Sequence, residues 1–273
     1  MDKTKRACIV IPVYKAIVKP YEQIALQQCF KVLRQYTVYF AVPAHLEEWI
    51  RQNPYCLSGQ ASYKVFRNEF FSDIPAYNRL LKSPVFYKTF LDFDFLLIYQ
   101  LDAFVFKDQL MYWCDRGYDS IGAPLFEGHD FARPDSPLVG QGNGGFCLRN
   151  VKACYKVVKS LRKLNFQKEY TDSGRSPLRN LVRYIKHQLV YNYSLYPFQP
   201  IINEDLFWAE VVPAKFPEFK VPSPADAVGF SFEVNPDVLY EMNHQQLPFG
   251  CHAWERYDPE WWKPHFKALG YEL

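Results

Sequence analysis

The sequence predicts an α/β fold, a mostly parallel sheet flanked by helices, and three observations carry that expectation. Short β-branched and aromatic runs alternate with segments of helical period through roughly the first hundred residues. The first run, 7–14, is an almost continuous apolar stretch closed by a proline, the pattern of a strand buried on both faces. The 20 Tyr, 23 Phe and 6 Trp among 273 residues supply the apolar surface of a large core, which a disordered chain lacks.

The elements follow in order. After the first strand, Ala25, Cys29, Val32, Leu33 and Tyr36 share one helical face, and 37–42 is strand-like again. Leu46, Trp49 and Ile50 predict a second helix, and 62–66 a third strand. From Ser72 a helix carries Ile74, Tyr77, Asn78, Leu80 and Leu81; Ser83 then caps another that has Pro84 at its first position. Residues 95–100 are the fourth strand. In such a sheet ligands bind beyond the carboxyl ends of the strands. The second half is less regular: a glycine-rich turn at 140–145, a lysine-rich helix over 151–164, a proline-broken tract at 191–200, and helices from Asn203 and over 259–269. One continuous domain, 1–273, is expected.

Several classes are excluded. No Gly-x-Gly-x-x-Gly or Walker pattern follows the first strand, which argues against a dinucleotide enzyme and a P-loop NTPase. Lys and Arg number 32 against 29 Asp and Glu, a net charge of +3, too balanced for a surface that follows nucleic acid. The seven cysteines are odd in number and never spaced Cys-x-x-Cys, so neither a disulfide framework nor a zinc knuckle is expected. The apolar run behind the charged residues 1–6 stops at Pro12 and Lys15, and the stretch 93–106 is broken by Asp94, Gln100 and Asp102. A soluble, cytoplasmic or peripheral protein is therefore expected.

Four segments can carry chemistry. Asp102 lies just past the fourth strand, where a carboxylate needs a partner, water or a metal; the plain alternative is a surface turn. The loop 140–150 contains Asn143, Gly144 and Gly145, whose backbone can approach a ligand closely, though Asn-Gly is also a common hairpin turn. Glu204 and Asp205 follow Asn203 either as acids at a capped helix start or as a positioned general base. His252 stands in the aromatic segment 249–254, as a core histidine or a ligand, with Trp254 as core or as a sugar-stacking ring.

In this order the segments resemble the GT-A glycosyltransferases, and more closely a bacterial family known only as a domain of unknown function related to them. The motifs are Tyr-Gln-x-Asp-Ala (99–103), Gly-Asn-Gly-Gly-Phe-x-Leu-Arg (142–149), Glu204-Asp205 and Phe-Gly-x-His-x-Trp (249–254). The resemblance implies transfer of a sugar from a nucleotide donor, UDP-sugar first among candidates, to a glycan or lipid-linked glycan hydroxyl in surface polysaccharide synthesis. Residues 1–106 would be the donor half and 107–273 the acceptor half. The Asp-x-Asp metal motif is altered, with Gln100 in place of its first acid. Asp102 and His252 would hold the divalent cation, and that mixed donor set favours Mn²⁺ over Mg²⁺. Asp205 would be the base, with Glu204 second, and the anomeric centre would invert. Asn143, Gly144, Gly145 and Trp254 would line the acceptor or sugar pocket, the glycines where a side chain would collide with the sugar. Pro12, Val13, Tyr14, Asn78 and Lys82 would meet the donor, with Gln100 and Asp102 beside it.

Two other functions share parts of this pattern. A sugar nucleotidyltransferase would need a basic glycine-rich loop after the first strand, where Tyr14-Lys15-Ala16-Ile17 stands instead, and a non-catalytic carbohydrate-binding protein would not need Asp102, Asp205 and His252. Lastly, Arg175, Arg179, Arg183 and Lys186 share one helical face opposite Leu178, Leu181, Val182, Ile185 and Leu189. This is either an amphipathic helix packed on the domain or, with Tyr191, Tyr193, Tyr196 and Phe198, a surface for an anionic membrane leaflet, the inner membrane in a bacterium.

Overall fold

The computed structural model describes residues 6–16, 18–160, 176–186 and 203–272, and of Arg183, Tyr184 and Lys186 only the backbone. Its strands are β1 (Ala7–Pro12), β2 (Thr37–Pro43), β3 (Ala61–Phe66), β4 (Phe95–Tyr99), β5 (Ala103–Val105), β6 (Ser120–Ile121), β7 (Pro124–Phe126), β8 (Leu138–Gln141), β9 (Phe146–Asn150), β10 (Ser231–Phe232) and β11 (Gly250–His252). The main sheet runs β3-β2-β1-β4-β9-β6. Its first four strands are parallel, whereas β9 and β6 each pair antiparallel with their neighbour.

Both faces of this sheet are buried, which is why its strands read as unbroken apolar runs. Ile9 and Ile11 pack into one layer with Leu97 and Tyr99, while Cys8 and Val10 pack into the other with Leu96 and Ile98. Helix Pro20–Val32 belongs to the first layer, and helices Ile74–Leu81, Pro84–Thr89 and Val151–Lys159 to the second. Local sequence signals fix these helices as expected: Ser83 Oγ accepts the Phe86 N–H at 3.2 Å, and Asp73 Oδ1 the Ala76 N–H at 2.7 Å. The lysine-rich helix ends at Lys159, short of the expected 164, whose last residues lie outside the described part.

A second, smaller sheet, β10-β11-β5, carries the C-terminal aromatic segment. Here an expectation is corrected. Trp254 is not a sugar-stacking surface but core, 2% exposed, edge-to-face with Tyr21 and against Phe266 at 4.5 Å between ring centres. Trp262 is likewise buried and stacks on Phe106.

The helix expected from Asn203 is a single turn, Glu204–Leu206, running into a π-helical stretch, Phe207–Val211. Pro213, at the start of the helix Val212–Lys215 that follows, has no N–H for the α-helical ladder, so the widened turn sits where that ladder is interrupted.

Helix Pro177–Lys186 does not pack its apolar residues on the domain: Leu178, Leu181, Val182 and Ile185 are all exposed, Leu178 by 70%. The membrane reading also invoked Arg175, Leu189 and the aromatics Tyr191, Tyr193, Tyr196 and Phe198, which lie outside the described residues, as do the side chains of Arg183 and Lys186. No helix among the described residues is long and apolar enough to cross a membrane.

Candidate active site

Strand register assembles the site. β11 runs antiparallel to β5 with His252 opposite Ala103, and the Ala253 N–H donates to the Asp102 carbonyl at 3.0 Å, so Asp102 and His252 become neighbours although 150 positions apart. β10 pairs parallel with β11, Phe232 opposite Cys251, which carries the next residue, Glu233, to the other side of His252. In the main sheet β4 pairs with β9, Tyr99 opposite Phe146, and the Gln100 N–H donates to the Gly145 carbonyl at 2.7 Å. The glycine loop is thereby laid along the same strand ends.

His252 lies between two carboxylates. Its Nδ1 is 2.8 Å from Glu233 Oε1, and its Nε2 is 3.2 Å from Asp102 Oδ1. Burial pushes the imidazole pKa down, but Asp102 and Glu233 more than reverse this and leave it well above the ordinary histidine value. For Asp102 burial acts upward, and the facing imidazole outweighs it, so the carboxyl is held below its usual value. Asn143 lies on a third side of the ring. Its Oδ1 accepts the N–H groups of Gly145 and Phe146 at 2.6 and 2.9 Å, which leaves its Nδ2 3.0 Å from His252 Nδ1, a contact between two donors once Nδ1 is protonated, so the carboxylates and not Asn143 hold the imidazole. With its pKa so raised the ring is a cation at neutral pH, Nδ1–H donating to Glu233 and Nε2–H facing Asp102, and a metal ion at Nε2 would have to displace that second proton.

That assignment bears on a metal. Nε2 is buried and makes no hydrogen bond, because its approach to Asp102 lacks hydrogen-bond alignment. An imidazole with one nitrogen held by a carboxylate and the other facing a second carboxylate is the usual setting of a metal-ligating histidine. Asp102 and His252 are thus the two side chains that could hold a divalent cation. Among the described residues no three acidic, histidine or cysteine side chains converge as a complete cage, so further ligands would have to come from water or from a diphosphate.

Asp205 has the character of a base. Burial and, next, the neighbouring Glu204 charge raise its pKa from an ordinary 3.8 to about 6, even though its Oδ1 accepts the Leu206 N–H at 2.8 Å. Glu233 acts on it in the same direction. The glycine loop lies against it: a Cβ on Gly142 would stand 3.4 Å from the Asp205 carbonyl oxygen. A carboxylate tuned to near neutrality is what proton abstraction from a hydroxyl requires.

Several expected roles are corrected. Glu204, the second candidate base, is 2% exposed and ion-paired with the buried Arg149, so its charge is held in the interior rather than offered to a substrate. The glycines make room for the protein's own groups: a Cβ on Gly145 would overlap the His252 ring, and one on Gly144 would stand 2.5 Å from Glu204 Oε1. They do not floor a sugar pocket on those faces. Asn78 is engaged at both ends of its amide, donating to Asn203 Oδ1 at 3.1 Å and accepting the Glu204 N–H at 3.3 Å, so it anchors the acidic turn instead of meeting a ribose. Pro12 and Val13 are buried in the sheet, whereas Tyr14 is 57% exposed past its end. Lys82 is not a solvated surface lysine. It is buried, its pKa lowered by burial against the upward pull of Glu204 and Asp205. Gln100 Nε2 lies 3.4 Å from the Gly144 carbonyl, steadying the loop.

Two participants escaped the sequence reading. Glu233 stands one residue past the short run Phe230-Ser231-Phe232, and an acid at such a strand end is the same signal that singled out Asp102. Arg149 lay inside a recognised motif, but its pairing with Glu204 across 55 positions has no local signature.

Comparison with solved structures gives low-identity likenesses. The apo glycosyltransferase GlyE of Streptococcus pneumoniae TIGR4 aligns at 14% identity and TM-score 0.44 over 92% of this chain, which spans 54% of that one. Mouse xyloside xylosyltransferase 1 aligns at 12% identity and TM-score 0.46, over 90% of this chain and 97% of its own. The 4-diphosphocytidyl-2C-methyl-D-erythritol synthase of Anaerococcus prevotii DSM 20548 aligns at 12% and TM-score 0.34, over 67% and 83%. No curated protein matches the sequence. Residues 60–252, more than half of the chain, match the family described as protein of unknown function DUF5672, and the chain belongs to that family.

Proposed function

We propose that this protein is a Leloir-type glycosyltransferase that moves a sugar from a nucleotide donor, a UDP-sugar first among candidates, to a hydroxyl of a glycan or lipid-linked glycan, with inversion. The observation that carries the reading is the convergence of Asp102, His252 and Glu233 at one end of the small sheet, with the near-neutral carboxylate of Asp205 across the glycine loop. Asp205 takes the proton of the acceptor hydroxyl as that oxygen attacks the anomeric carbon, and the nucleotide diphosphate leaves. Asp102 and His252 Nε2 are the protein's ligands for a divalent cation, Mn²⁺ in preference to Mg²⁺ because one donor is an imidazole. Bound there, the ion supplies charge neutralisation for the leaving diphosphate. Glu233 fixes the imidazole so that Nε2 faces Asp102, and Lys82, near Asp205, adds positive charge to the donor side.

A screen of nucleotide sugars for donor consumption, with Mn²⁺, Mg²⁺ or EDTA, tests this. Turnover of at least one donor is expected, strongest with Mn²⁺ and lost in EDTA, and Asp102→Asn or His252→Ala should abolish the Mn²⁺ response. Glycan binding with no donor consumption under any condition would leave a carbohydrate-binding protein instead.

The lipid-linked acceptor is supported by helix Pro177–Lys186. It exposes Leu178, Leu181, Val182 and Ile185, and no acid occurs between Asp172 and Glu204 in the sequence. Basic residues at such a surface contribute about 1 kcal/mol each at an anionic leaflet, enough in sum for reversible attachment at the cytoplasmic face of a bacterial inner membrane. Sedimentation with liposomes should show binding that requires anionic lipid, falls with salt, and is largely lost in the Arg175, Arg179, Arg183 triple glutamate variant. Equal binding to neutral liposomes would remove the electrostatic part of the argument, and no binding to anionic ones the whole of it.

A further inference from the structure

We propose that Lys15 is a contact for the diphosphate of the nucleotide donor, an ammonium fixed beside the Asp102 and His252 pair; the proposal deepens the glycosyltransferase reading and rests on it. Lys15 lies three residues past the end of β1. β1 and β4 are parallel neighbours with Val10 opposite Ile98, so the chain leaving β1 and the chain leaving β4, which carries Asp102, emerge together at one end of the sheet.

Helix Pro20–Val32 closes over both segments. The Tyr99 hydroxyl donates to the Ala25 carbonyl at 2.9 Å, and Gln28 Nε2 donates to the Val105 carbonyl at 2.8 Å, so the chain is tied to the helix on either side of Asp102. Tyr21, in the first turn of the helix, stands edge-to-face with Trp254, two residues past His252, at 6.0 Å between ring centres. Lys15 is anchored to that same turn. Its Nζ is 3.0 Å from Glu22 Oε1, a side chain 4% exposed, whose Oε2 accepts the Lys19 N–H at 2.7 Å. The lysine side chain itself stays 31% exposed. A surface lysine has to be immobilised by its ligand, whereas this one is already held, and one carboxylate oxygen cannot take all three of its N–H donors. Its charge reaches the site: at Asp102, where burial acts upward and His252 pulls the carboxyl down, Lys15 adds to the downward pull.

The surrounding groups fit a nucleoside diphosphate. A divalent ion on Asp102 and His252 takes its other ligands from water or a diphosphate, and an ammonium alongside meets phosphate oxygens that the ion leaves free. Next to Lys15 the Tyr14 ring is 57% exposed, its centre 5.5 Å from Lys15 Nζ, an aromatic face for the base of the same nucleotide. Lys19, with its Nζ on the neutral Tyr21 hydroxyl at 3.0 Å, brings a second positive charge to this rim.

Calorimetry on the full-length protein in EDTA tests the proposal, with UDP, GDP, CDP and ADP each set against its nucleoside. At least one diphosphate is expected to bind about tenfold or more tightly than its nucleoside without any metal, and that preference should shrink with salt. Lys15→Met should remove most of the preference and leave nucleoside binding in place, and Lys15→Arg should keep it. Because Lys15→Met strips the buried Glu22 of its partner, a Lys15→Met, Glu22→Gln double variant repeats the measurement with no isolated charge in the interior. Glu22→Gln alone should keep the preference, since the ammonium remains. The proposal is overturned by an unchanged preference in the Lys15→Met variants, by equal losses of diphosphate and nucleoside binding, or by a wild type that does not prefer any diphosphate. A Lys15-dependent preference in a protein that consumes no nucleotide sugar would uphold the contact and strike the enzymatic reading instead.

Discussion

Asp205→Asn is expected to lower sugar transfer by about 100-fold or more while making the folded protein more stable at neutral pH. The first effect follows from removing the proton acceptor without changing volume. The second follows from linkage. The folded-state pKa of Asp205 is raised to about 6 by burial and by Glu204, whereas in the unfolded chain it returns to an ordinary 3.8. Between those values the folded protein holds a proton that the unfolded chain has released, so stability falls as pH rises from about 4 to about 6 and stays at its lower level above that. The ionised carboxylate therefore costs roughly 1–3 kcal/mol at pH 7, allowing for partial contact with water. Asparagine has no charge to bury and escapes that cost. Melting temperatures of the wild type and Asp205→Asn should diverge from pH 4 to pH 6 and then run parallel. In the wild type kcat/KM should rise with pH through about 6 and level off as the base loses its proton. Near wild-type transfer by the variant would place the base elsewhere, and a pH-independent difference in melting would remove the proton from Asp205.

The parts legible in the sequence are those governed by short-range patterns. β1 to β4, the Ser83 cap and the parallel core were readable because both-face burial forces continuous apolar strands and because a cap is decided within four residues. Asp102, Asp205 and His252 stand out in the sequence as candidates because each sits at a break where a charged group needs a reason to be, and the fold brings Asp102 and His252 side by side. What was not legible depends on which element lies beside which. Nothing near Gly144 or Gly145 says that their missing side chains are filled by Glu204 and His252, so they were read as room for a sugar. Asn78 is a polar residue on a helix face until the acidic turn is folded against it. Trp254 has the composition of a sugar platform, and only its packing on Phe266 and Tyr21 makes it core. Glu233 needed the parallel pairing of β10 with β11, a two-residue ladder too short to announce itself. The register of the small sheet is therefore what turns three separate strand ends into one site.

Arg149→Met should destabilise the protein by about 3–5 kcal/mol, because it leaves a carboxylate buried without its counter-charge. Arg149 is 1% exposed on β9, its guanidinium bonded to Glu204 and, at 3.0 Å, to the Tyr87 hydroxyl, and lying over the Trp208 ring at 5.6 Å. Tyr87 in turn donates to the Leu81 carbonyl at 2.9 Å, and Trp208 stands edge-to-face with Tyr87. This pair joins the main sheet to the turn that presents Asp205, one residue after Glu204, so its disruption should also reduce transfer by moving the base. Removing both charges separates these effects. Arg149→Met with Glu204→Gln leaves no isolated ion in the interior and should recover much of the lost stability, since a buried pair exchanged for uncharged groups is often close to neutral. Activity in the double variant should stay low, because neither new side chain holds the acidic turn to the strand as the ion pair does. Unfolding free energies from denaturant curves of the wild type, the two single variants and the double one give the coupling energy. Additive changes in unfolding free energy would mean that Arg149 and Glu204 act independently. Full recovery of activity along with stability would mean that the pair serves the fold alone and that the position of Asp205 is set by Asn78 and the glycine loop.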